Sequence, residues 1–116
     1  LAAHPDFSKI LICPAHVTMR LGASAAIEIA EREADCLIVS QGEYDYLDYI
    51  DNNPEPADWE VFVASAVYNF QSYGEEACKL IDMISAGDLM ETEYYPEHYM
   101  IDRDNYMKFF ASYFEE

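Results

Sequence analysis

Trp59-Glu60-Val61-Phe62-Val63-Ala64-Ser65-Ala66-Val67-Tyr68-Asn69-Phe70-Gln71-Ser72-Tyr73 is a long, nearly uncharged stretch, and its periodicity decides the fold. Trp59, Phe62, Val63, Ala66, Val67, Phe70 and Tyr73 recur at i, i+3, i+4, i+7, i+8, i+11 and i+14. That spacing is one face of an α-helix. Pro56 stands just before it, in a position suited to a first helical turn. The spacing predicts a central core helix with a broad aromatic side.

Outward from this segment, three further helices are expected. Ala77, Leu80, Ile81 and Ile84 share a face over 75–86, and Gly87 follows as a left-handed C-terminal cap. Tyr106, Phe109, Phe110 and Tyr113 repeat the pattern over 103–114, with Asp102 placed as N-cap. Ala26, Ile27, Ala30, Ala34, Leu37 and Ile38 suggest a helix over 24–39. The predicted fold is mainly α, a compact single domain over 1–116 built as a bundle of four to five helices. Runs such as Lys9-Ile10-Leu11-Ile12 and Cys36-Leu37-Ile38-Val39 also suit short buried strands. The alternative is therefore an α+β fold with a small two-strand element from 9–13 and 36–40. Breaks are expected at Gly22, Gly42, Asn52-Asn53-Pro54-Glu55-Pro56, Gly74, Gly87 and Pro96.

Charge is the second signal. The 116 residues hold 23 Asp+Glu against 6 Lys+Arg, a formal net charge of −17, while 52% of the chain is hydrophobic. That apolar content excludes a charge-driven disordered tail. The charge excludes direct binding to nucleic acid or to an anionic membrane surface, because phosphates repel carboxylates. No stretch reaches the roughly 18 uncharged apolar residues of a membrane span, and no basic start followed by an apolar run marks a signal peptide. Cys13, Cys36 and Cys78 are odd in number and widely spaced, a poor disulfide framework. A reducing cytoplasm is the expected setting.

The densest acid lies in 43–60, with Glu43, Asp45, Asp48, Asp51, Glu55, Asp58 and Glu60 and no cation. If 43–51 is helical, Asp45, Asp48 and Asp51 share one arc, opposite Tyr46, Leu47, Tyr49 and Ile50. Carboxylates three residues apart advance by about 4.5 Å along a helix. Phosphates on one DNA strand advance by about 3.4 Å, a similar linear charge density. Asp88, Glu91, Glu93, Glu97, Asp102 and Asp104 form a second acidic region, with Arg103 as its counter-ion. Acidic helix faces are ordinarily solvated surface. A small domain built for solubility, however, carries a net charge of roughly 2 to 8 with both signs mixed. The excess here costs self-repulsion, which points to a function in binding or to a halophilic source. Tyr44, Tyr46, Tyr49, Tyr94, Tyr95 and Tyr99 lie within the acidic regions. Tyrosine rings attract Arg and Lys, or else pack in a core.

Catalytic motifs are sparse. Cys13-Pro14-Ala15-His16 has the spacing of half a zinc site, without a second paired motif to complete it. As nucleophile and base, the same pair is three residues apart, and such neighbours rarely face each other productively outside a helix. A small buried Cys beside a turn proline is the simpler expectation. Asp102-Arg103-Asp104-Asn105 matches a calcium-binding loop in part, but Tyr106 occupies a ligand position and the glycine is missing. No phosphate-cradling glycine loop, Gly-x-Ser-x-Gly or His-Glu-x-x-His is present. No catalytic residue, metal or cofactor is expected.

In size, charge, carboxylate stripes and lack of an active-site pattern, the chain resembles the small acidic nucleic-acid mimics that phages and mobile elements direct against restriction or CRISPR machinery. The likeness is one of class, and no functional residue carries over from it. It implies a non-catalytic inhibitor that fills the DNA- or RNA-binding groove of a basic protein. Asp45, Asp48, Asp51, Asp58 and Glu60, with Glu91 and Glu93, would stand in for phosphates, and Tyr44, Tyr46 and Tyr49 would pack against Arg or Lys. The alternative is an acidic adaptor or immunity-type protein whose basic partner does not bind nucleic acid. Either a monomer or a dimer fits.

Overall fold

The computed structural model describes residues 1–68, 72–88, 95, 97–111 and 114. In chain order its elements are β1 (Ile10–Ile12), α1 (Val17–Ile29), a 3-10 turn (Glu33–Asp35), β2 (Cys36–Gln41), α2 (Glu43–Asn52), β3 (Phe62–Val67), α3 (Tyr73–Ala86), β4 (Tyr99–Asp102) and α4 (Tyr106–Phe110). The strands form one sheet in the order β1-β2-β3-β4. β1, β2 and β3 run parallel, and β4 pairs antiparallel to β3.

Parallel neighbours need a crossover, and α1 and α2 supply the two crossovers in succession. Right-handed connections that step the same way along a sheet place both helices on one face. The core confirms it as a single cluster. Ile27 of α1 and Tyr46, Leu47 and Ile50 of α2 close over Cys36, Ile38, Phe62, Val67 and Ile101 of the strands. Along β2, Cys36, Ile38 and Ser40 are buried while Leu37 and Gln41 are exposed, the period of two that a sheet imposes.

Gly42 makes the tight turn from β2 into α2 at φ 106, a conformation that L side chains rarely adopt. The Ser65 hydroxyl donates to its carbonyl at 2.9 Å, and its own N–H donates to the Ala66 carbonyl. α2 thus starts at a fixed point beside β3.

These elements correct the mainly helical bundle and also exceed the two-strand alternative, whose strands are two of four. The expected core helix is β3. Its 3.6-residue spacing joins three separate pieces: Trp59 lies in the preceding turn, Phe62–Val67 is the strand, and Tyr73 opens α3. Phe70 lies outside the described residues. Small Ser65 lets the start of α2 sit close over β3, its hydroxyl reaching the Gly42 carbonyl. Pro56 falls in the loop ahead of it. The helix expected over 24–39 is two elements. α1 starts seven residues earlier at Val17, capped by His16 Nδ1 accepting from the Thr18 N–H, and 36–39 belongs to β2. α3 and its left-handed Gly87 cap stand where the spacing put them, but α3 buries none of its residues. At the C-terminal end Asp102 Oδ1 accepts from the Asp104 and Asn105 N–H groups, and Asn105 is the N-cap of the short α4. Cys13, expected to be buried, is exposed. The radius of gyration is 18.4 Å, against roughly 13 Å for a compact domain of this length.

Candidate functional site

α2 carries the predicted acidic stripe, and its packing sorts that stripe residue by residue. Tyr46, Leu47 and Ile50 turn inward at the 3.6 period. Tyr46 is fully buried, edge-on to Phe62 at 5.0 Å between ring centroids, and its hydroxyl donates to the Val63 carbonyl at 2.9 Å. Burial, reinforced by the nearby Glu60 carboxylate, pushes its phenol pKa well up. Tyr49 is half-buried at 5.2 Å from the Phe62 ring, and the same two causes raise its pKa. Both tyrosines thus brace the core, while Tyr44 stays about half exposed.

Asp45 and Glu60, both predicted phosphate surrogates, are clamped by arginines of the same chain. Asp45 takes a fork from Arg20 of α1, with Nε at 2.8 Å from Oδ2 and a second bond from the terminal nitrogen to Oδ1. The Asp45 side chain is only 7% exposed, and the Arg20 guanidinium lies 4.7 Å from the Phe62 ring centroid, which makes it a cap on the core. Glu60 is gripped by Arg103, with Nε at 3.0 and 3.1 Å from its two oxygens. The same guanidinium donates to the Pro54 and Asn53 carbonyls at 3.2 and 3.0 Å. It pins the 53–60 loop against the start of α4, and these bonds to Glu60 hold its own proton more firmly than usual. Arg32 acts likewise, pairing with Asp35 at 2.8 Å while donating to the carbonyls of Leu1, His4 and Phe7. All three arginines are internal clamps, and Lys9, Lys79 and Lys108 are the remaining cations.

Asp48, Asp51, Glu55 and Asp58 remain exposed, running from α2 into the loop that follows. Trp59 is in that loop too, 64% exposed, between Asp58 and the clamped Glu60. The helical spacing places Trp59 in the core; the signal against it is its position next to Asp58 and after Pro54-Glu55-Pro56. Glu91 and Glu93 lie outside the described residues.

A groove of about 480 Å³ opens beside Trp59, over the amino ends of β1 and β2. Leu11 and Leu37 form its apolar part, and Lys9, Glu33 and Asp58 lie along it. The carboxyl edge of the sheet holds different groups. Gln41 accepts from the Tyr68 hydroxyl, Tyr68 meets the His98 ring edge-on at 5.3 Å, and His16 caps α1. Ser40 Oγ and Glu43 Oε2, buried near that edge, have no hydrogen-bond partner among the described residues. No group of three or more metal-ligating side chains occurs among the described residues, and Cys13 and His16 end up on exposed backbone at this edge, the histidine serving as a helix cap. No helix of the described residues is long and apolar enough to cross a membrane.

Comparison with protein-family models, with curated proteins and with solved structures finds no match to this chain.

Proposed function

We propose that this chain is a non-catalytic acidic binding module for a basic protein, with the DNA- or RNA-binding groove of a restriction or CRISPR nuclease component as the first class of target. The observation that carries it is Trp59, an exposed indole set in a run of exposed carboxylates, Asp48, Asp51, Glu55 and Asp58. An indole face and a carboxylate together receive an Arg or Lys side chain, the ring by its quadrupole and the acid by charge. The net charge of −17 steers such a partner in from a distance. Asp45 and Glu60 contribute by shaping this surface, since their charges are already met by Arg20 and Arg103.

The test is capture of the partner from bacterial lysate, followed by challenge with duplex DNA. The expected outcome is one predominant basic protein, eluted by a salt gradient and displaced by DNA. A chain carrying D48N, D51N and D58N is expected to bind it at least tenfold more weakly, with a flatter salt dependence. Binding indifferent to DNA would move the partner to the adaptor or immunity class. Binding unchanged in the triple variant would remove the surface from the model.

The parallel topology favours a second reading. In open α/β sheets ligands sit outside the carboxyl ends of the strands, and Gln41, Tyr68 and His98 gather polar and aromatic groups there. A small neutral polar ligand would suit them. Thermal shift against sugars and nucleosides tests this reading, which requires a rise in Tm that is lost in Q41A.

A further inference from the structure

We infer that the open face of the sheet seats an amphipathic, cation-bearing helix of the basic partner, laid over Leu11 and Leu37 with its cation against Trp59 and Asp58. The inference rests on the proposed binding of a basic protein and adds where and by what the partner binds. Parallel strands are ordinarily covered on both faces, because their neighbours in sequence are helices that must bury an apolar stripe. Here α1 and α2 cover one face only. Leu11 and Leu37, directly paired between β1 and β2, are 62% and 47% exposed on the other. Met100 of β4 points the same way, since it pairs with Ala66, which pairs with Gln41. From β1 to β4 is three strand spacings, about 14 Å, wide enough for one helix of about 10 Å.

Charge selects the occupant. The groove that continues this face beyond Leu11 and Leu37 ends at Trp59, Asp58 and Glu33. Its other carboxylates, Asp35 and Glu60, are already held by Arg32 and Arg103, and Lys9 is the one ammonium along it. A helix with leucines on one side and lysines or arginines beside them would satisfy both the apolar floor and the acidic end. The chain's own α3 has an exposed apolar stripe, Ile81 and Ile84, and would be the rival occupant from a second copy. Its polar side carries Glu75, Glu76 and Asp82 against Lys79, the same sign as the groove. Like charges set it against docking there.

The probe is a fluorescein-labelled 18-residue peptide of leucine and lysine, with leucines at i, i+3, i+4 and i+7, titrated with the full chain by anisotropy. Docking on the face predicts that L11D and L37D each weaken binding at least tenfold although each adds negative charge, and that L37K weakens it too. W59A and D58N are expected to weaken it about threefold or more. Far-UV circular dichroism confirms that each variant keeps its fold, and the two exposed positions, on different strands, guard against one misfolding. Attraction by charge alone predicts the opposite sign for L11D and L37D, with binding as tight as wild type or tighter. That outcome, or no binding of the peptide, overturns the inference. A concentration-dependent dimer that excludes the peptide and is lost in both L37D and I81D would overturn it in favour of α3 of a second copy. The captured partner separates the two levels. If it is lost in the D48N, D51N, D58N variant but indifferent to L11D and L37D, the binding function stands and this seat falls.

Discussion

At the scale of single residues, the arginines decide more than their number suggests. Arg103 satisfies both oxygens of Glu60 and two loop carbonyls at once, a planar fork that lysine does not reproduce. R103A leaves a largely buried carboxylate beside Tyr46 and Tyr49 without its partner. It is expected to cost about 2 kcal/mol in urea denaturation, with R103K between it and wild type. Tyr46 gives a pH signature. Its phenol pKa is raised in the folded chain, so the native state holds the proton more tightly than the unfolded state. The stability this provides is complete below the unfolded value near 10 and is lost as pH rises beyond it. Y46F is expected to lose about 1 kcal/mol at pH 7, by leaving the Val63 carbonyl unpaired, and to flatten the decline in stability above pH 10. Denaturation at pH 7 and pH 10.5 measures both. An equally steep alkaline decline in Y46F would assign it to Tyr49 or Tyr99, whose pKa values burial also raises.

At the scale of elements, α1 and α3 make a controlled contrast. Both are amphipathic, yet α1 seals Ile27 under the core while α3 buries nothing. I27A is expected to cost 2–5 kcal/mol, the range for a large core side chain cut to alanine. I81A, on a side chain 61% exposed, is expected to leave global stability within about 0.5 kcal/mol. A comparable loss in both would mean that α3 packs in solution. The same contrast bears on what was legible in the sequence. Whereas 43–51 reads as a helix only conditionally, α3 could be read because its periodicity lies wholly within one element and Gly87 bounds it. β3 could not, because small residues at 64–66 carry no period of their own. Aromatics from the neighbouring turn and from α3 supplied a false one. The candidate surface was legible only in part. Asp48, Asp51 and Asp58 are exposed, whereas the partners of Asp45 and Glu60 are 25 and 43 residues away and leave no local mark. Trp59 was hidden by its apparent place in a helical stripe.

At the scale of the whole molecule, the acid excess sets the response to salt. With three arginines spent on internal pairs, the net charge of −17 is left to a surface with three lysines. Raising sodium chloride from about 0.02 to 0.5 M is expected to lift Tm by about 5 °C through screening of that repulsion. A fall in Tm would mean that the arginine pairs outweigh the repulsion. The order of strands carries a consequence of another kind. Every strand of this sheet lies beside the one that precedes it in the chain. A doubly wound sheet must hold a place open for strands made later, but here each new strand meets an edge already formed. Assembly can follow the order of synthesis on the ribosome, each new strand docking on the one made before it across a connection of about 20 to 31 residues.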